Sequence, residues 1–156
     1  MIGWMILPLK RYAEFSGRSR RMEYWSFALF NIIIGFILTA GLFVTGAASG
    51  LFANMQSADP TIFLAFLFGG VGVVFGIWIL VFIIPNTALH VRRLHDRNMS
   101  GWWFLGYIVI HLIPILNLFT PIAWIALLII ALLPGTPGPN QYGPDPKDPT
   151  GAEIFA

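Results

Sequence analysis

No cysteine occurs in the 156 residues, which excludes disulfides, thiolate metal sites and a cysteine nucleophile. Charge is nearly as scarce. Only 10% of residues are Asp, Glu, Lys or Arg, against about 25% in an ordinary soluble domain, so ionic groups cannot cover a water-facing surface. Residues 25–48, 61–88 and 102–133 contain no Asp, Glu, Lys or Arg at all, which argues against a proton or ion relay through them. His111 is the one histidine within these stretches; an ionisable group there is a functional candidate, the plainer reading being a neutral imidazole that hydrogen-bonds a neighbouring helix. Also missing are a phosphate-cradling glycine loop, a Walker pattern and a defensible Ser-His-Asp order. Once the apolar stretches are set aside, no length remains for a soluble catalytic domain.

What is present is apolar bulk: 57% hydrophobic residues, fourteen Phe, six Trp and a mean hydropathy of +0.77. Such a surface needs hydrocarbon as its solvent. Residues 25–48, if helical, extend roughly 36 Å, enough to cross a core of about 30 Å. Residues 61–88 form a second candidate span, kinked or ended near Pro85. The 32 residues of 102–133 fit two forms. One is a single span kinked at Pro114 and Pro121. The other is a re-entrant or four-span form with a short hairpin turning near Asn117, whose arms of about 15 residues fall short of the ~20 needed to cross. The expectation is an all-α integral membrane helical protein with three transmembrane spans, four being the alternative. Ile2 to Leu9 does not read as a cleavable signal peptide, since Pro8 interrupts it and the basic residues follow it.

Lys10, Arg11, Arg18, Arg20 and Arg21 precede the first span, and Arg92, Arg93 and Arg97 follow the second, so eight of nine basic residues share one side. The positive-inside rule makes that side, and the N-terminus, cytoplasmic. Residues 1–24 then form a cytoplasmic or interfacial segment, 25–133 the transmembrane helical domain with a basic cytoplasmic loop at 90–101, and 134–156 a Pro/Gly-rich tail. Residues 134–149 hold six Pro and three Gly. That composition describes a flexible tail, the alternative being an ordered strap along the membrane surface. The pairs Gly46-xxx-Gly50 and Gly72-xxx-Gly76 offer small faces for helix contact.

Chemistry-bearing residues gather at that basic boundary. Arg18, Arg20 and Arg21 can take phosphate oxygens bidentately or serve only to orient the chain. In a helix continuing past Pro85, Arg92 and Asp96 stand at i, i+4 in the weaker local order. Asp96 is therefore better served by Arg18 or Arg21, and Glu23 by Arg92 or Arg93. His90, His95 and Asp96 make a poor metal set, because i, i+5 is an unsuitable helical spacing for two ligands.

Four segments resemble the bacterial inner-membrane family called domain of unknown function 805. They are F-S-G-R-S-R-R-M-E-Y-W at 15–25, R-R-L-H-D at 92–96, S-G-W-W at 100–103 and P-G-T-P-G-P-N-Q-Y-G-P-D-P at 134–146. The resemblance covers nearly the whole chain. It implies a small multi-span protein of the bacterial plasma membrane and no particular activity. It adds weight to Arg18, Arg21, Glu23, Arg92, Arg93, His95 and Asp96 as a headgroup-binding or ion-pair cluster. Residues 102–133 depart from the family in being longer than usual between S-G-W-W and P-G-T.

The leading functional expectation is a non-enzymatic interaction or anionic-lipid-contacting protein, with membrane lipids as partners and no cofactor, metal or nucleic acid. Behind it stand a small oligomeric transporter or channel-like component, paired with itself or another membrane protein, and an enzyme acting on headgroups through His95 and Asp96.

Overall fold

The structure, a computed structural model, describes residues 2–44, 61, 64, 68 and 70–148. Its helices are α1 (Ile2–Lys10), α2 (Arg21–Val44), α3 (Gly70–Asp96), α4 (Trp102–Leu112) and α5 (Thr120–Leu132), with a 3-10 turn at Leu116–Phe119. Among the described residues the only β-type pairing is an isolated bridge between Asn140 and Gly143. The fold class is all-α.

Helix is what these sequences must form in hydrocarbon, where each backbone N–H and C=O needs a partner within its own segment. α2 has 24 residues, and α3 is likewise long and apolar enough to cross a membrane. Only 6% of the apolar window of α2 and 28% of that of α3 are buried within the protein, so their side chains face outward to their solvent. Pro85 lies inside α3 and does not end it. The helix runs on to Asp96, so the first part of the expected loop at 90–101 is helical.

Residues 102–133 do not form the single kinked span on which the three-span expectation rested; they form two helices joined by a turn, the hairpin alternative. Pro114 follows the end of α4 and Pro121 opens α5, each lacking the N–H that a continuous helix would use. Tyr107 of α4 lies 5.5 Å, ring to ring, from Trp124 of α5.

The chain divides into two compact units, Met1–Phe27 with Ile84–Ala156, and Ala28–Ile83. In the second unit, Phe82 sits 6.0 Å from Phe30 and 6.3 Å from Trp78. A Cβ on Gly35 would meet Trp78 Cη2 at 3.7 Å, so the close helix contact is made there. At Gly76 a Cβ would meet nothing within 4 Å, and the expected Gly72-xxx-Gly76 contact is open at that end. Gly46 and Gly50 lie outside the described residues. The first unit holds the buried polar residues and the whole of the candidate site.

Candidate functional site

The site grows from the last two turns of α3, which carry Arg92, Arg93, His95 and Asp96. A helix ending leaves its final carbonyls without partners. Here the 134–148 segment supplies them: Thr136 N donates to Asp96 O at 2.8 Å, and Asn140 Nδ2 donates to His95 O at 2.9 Å. The segment is an ordered strap rather than a loose tail. Asn140 Oδ1 accepts from Tyr142 N at 2.9 Å, and Asp145 accepts from Gly138 N and Lys147 N at 3.1 and 2.9 Å. Gly135 passes so close to Asp96 that a Cβ would overlap its carboxylate. Only glycine fits that crossing.

Asp96 takes two arginines. Arg18 Nε donates to its Oδ1 at 3.0 Å, and Arg93 Nη1 binds its Oδ2. Arg18 also donates to Thr136 O at 2.5 Å and Gly138 O at 2.6 Å. Arg93 donates to Ser19 O at 3.2 Å, Ala131 O at 3.1 Å and Leu133 O. Arg97 reaches Pro134 O at 2.5 Å, and Arg20 binds Pro146 O. The arginines therefore cap the carbonyl end of α5 and hold the strap, and positive charge there matches the negative end of that helix.

A second ionic group lies nearby. Arg92 Nη1 stands 2.9 Å from Glu23 Oε1, and Ser19 Oγ donates to Glu23 Oε2 at 2.9 Å. Arg92 is 0% exposed, and its three guanidinium nitrogens have no hydrogen-bond partner among the described residues, so it is held by charge. Arg11 and Glu14 form a half-exposed pair at 2.6 Å. The hydrogen bond from Arg11 holds the Glu14 carboxyl below its ordinary value, and the same bond raises Arg11.

Of the cross-segment alternatives, Arg18 pairs with Asp96 and Arg92 with Glu23, while Arg93 joins Asp96 instead of Glu23. Arg21 is not among these pairs. It is exposed at the start of α2, where its Nη1 lies 3.4 Å from Leu132 O. Arg18, Arg92 and Arg93 are buried, their guanidinium groups committed to the protein. His95 stacks on Tyr142 with centroids 3.8 Å apart and planes 3° from parallel, and its Nδ1 lies 3.2 Å from Gly17 O. Gly17 turns the chain toward it at φ +79°, a conformation natural to glycine.

Sequence reasoning weighed His90 only as a metal ligand and missed its contact with Tyr24. His90 Nδ1 sits 2.8 Å from Asn86 O, an acceptor only, so Nδ1 carries the proton and Nε2 accepts from the Tyr24 hydroxyl at 2.9 Å. The ring stacks on Phe104 at 4.6 Å. His90 and His95 thus serve different partners. Nothing in the local pattern marks His90, because its aromatic neighbours come from α2, α4 and α5.

Long lipid-suited helices joined at a buried arginine–carboxylate junction define the class: a helical membrane protein with a structured polar face. The chain belongs to the family of proteins of unknown function DUF805, whose model matches residues 12–144. It is 36% identical over 144 residues to the inner membrane protein YhaH of Escherichia coli (strain K12), covering 92% of this chain and 96% of that protein. It is 34% identical over 145 residues to the inner membrane protein YhaI of the same strain, covering 92% and 95%. No solved structure matches the chain.

Proposed function

We propose that this protein is a non-enzymatic, multi-pass component of the bacterial inner membrane that holds anionic lipid at its cytoplasmic polar face. The observation that carries this reading is the charge imbalance around Asp96. Among the described residues, Arg21 and Arg97 bond only the Leu132 and Pro134 carbonyls, while Arg18 and Arg93 share the carboxylate of Asp96. A phosphate or other anionic headgroup supplies the missing negative charge, and Arg21 and Arg97 are the more accessible cations. Trp102 and Trp103, 74% and 63% exposed, follow Arg97 closely and suit the headgroup level. Arg18, Arg92 and Arg93 build the face rather than touch the lipid. The basic residues collected at this face support a cytoplasmic position for it and for the N-terminus.

The test is retention of phosphatidylglycerol over phosphatidylcholine by the full-length protein in mixed nanodiscs, counted by mass spectrometry. Basic residues near an anionic surface contribute about 1 kcal/mol each, so Arg21→Ala with Arg97→Ala should lower the preference by about 10- to 30-fold. Equal retention by the double variant and the native chain overturns the reading. An oligomeric transporter draws its support from the open face at Gly76. A strictly monomeric particle in nanodiscs removes it.

A further inference from the structure

We infer that the hairpin of α4 and α5 does not cross the membrane but enters one leaflet and returns, its partner being the acyl chains of the cytoplasmic half of the bilayer. The inference rests on the membrane character of the chain and not on the headgroup site.

Both ends of the hairpin are tied to the same turn of α3. α4 begins three residues after Met99, the end of the tight turn in which Arg97 N and Met99 N both donate to Leu94 O, at 2.9 and 3.0 Å. α5 ends with Ala131 O and Leu133 O on Arg93, and Pro134 O follows on Arg97. The hairpin therefore starts and finishes at one water boundary.

Length then sets the depth. α4 has 11 residues before the chain turns, which is roughly 17 Å of helix against a hydrocarbon core of about 30 Å. α5 is longer, but the shorter arm limits how far the tip descends. The tip comes to rest near the bilayer midplane.

The tip is made for hydrocarbon. Ile115 and Leu118 are 83% and 80% exposed. Ile113 N donates to Val109 O at 3.3 Å, and Asn117 N donates to Ile113 O at 2.8 Å. The Thr120 hydroxyl donates to Asn117 Oδ1 at 2.9 Å. Pro114 and Pro121 have no N–H to satisfy. These three bonds are all made within the hairpin, which lessens the cost of irregular backbone at depth in a membrane. Nothing charged lies between Trp102 and Leu133 to pull the tip to the far surface.

Native cysteine is absent, so single-cysteine variants of the full-length protein read the topology directly. Membrane-impermeant maleimide is applied to spheroplasts and to inverted vesicles, with labelling after denaturation as the reference. Gln141→Cys and Lys10→Cys should label only in inverted vesicles, and Leu118→Cys and Ile115→Cys from neither side, at less than about a tenth of the denatured extent. A bimane fluorophore on Leu118→Cys should be quenched best by phospholipids carrying the nitroxide near the chain end, and one on Trp102→Cys by headgroup nitroxide. Labelling of Leu118→Cys or Ile115→Cys in spheroplasts overturns the inference, as does labelling of Gln141→Cys there. So does a tip cysteine that cross-links to a second copy and escapes lipid quenching.

Discussion

The two ionic groups at the polar face are built on different principles. Around Arg92 the charges balance: Glu23 answers Arg92, Glu14 answers Arg11, and the buried guanidinium makes no hydrogen bond among the described residues. Around Asp96 they do not, since one carboxylate meets Arg18 and Arg93, and neutral carbonyls of α5 and the strap take the remaining donors. Buried charge is tolerable when paired or hydrogen-bonded, and the protein uses one solution at each place. The first group is completed by the ion pair and the neighbouring Ser19. The second needs a correctly seated segment some forty residues further along the chain, which makes strap and cluster a single unit.

Removing Asp96 should therefore have the largest effect. Asp96→Ala leaves two enclosed arginines uncompensated, and breaking a buried pair costs about 3–5 kcal/mol, so loss of a monodisperse species in detergent is expected. Glu23→Arg strands Arg92 at a similar cost, but addition of Arg92→Glu should restore much of the thermal midpoint because the exchange returns opposite charges to the same two positions. No recovery in the double variant would break the distinction between the groups. Gly135→Ala comes next. Its Cβ lifts the strap from Asp96, and an intermediate loss of about 1–3 kcal/mol is expected from overpacking, with the Glu23–Arg92 group unaffected. Protease sensitivity of the 134–148 segment reports it. Tyr142→Ala removes the His95 stack for about 1 kcal/mol, read as a smaller fall in midpoint.

The smallest effect is a pH dependence. Glu14, its ionised form favoured by Arg11, contributes stability above the ordinary carboxylate value, near about 4.3, and that contribution is lost as pH falls through its depressed value. The pair is half-exposed and screened, so the change is no more than about 0.5 kcal/mol. Glu14→Gln should abolish it in thermal scans at low salt.

Much of this was legible in the chain. Long uncharged runs foretell α2 and α3, because nothing but hydrocarbon suits them. That Asp96 and Glu23 meet arginines across the two charged segments follows from their sharing one boundary; which arginine serves each does not. The strap does not follow, since its acceptors are backbone carbonyls and any residue type carries one. Neither does the outward position of Arg21, which depends on how α2 is rotated at its first turn. His90 was equally hidden, its cage being assembled from three helices.

The sequence by itself determined the solvent: its apolar runs and their missing charges commit the chain to a bilayer, and hydropathy is a local property of the residues. Tertiary structure alone decided which arginines remain accessible, that the Pro/Gly segment closes over Asp96, and that residues 102–133 fold back on themselves. Those outcomes depend on distances between segments far apart in the chain, and no local pattern encodes such distances.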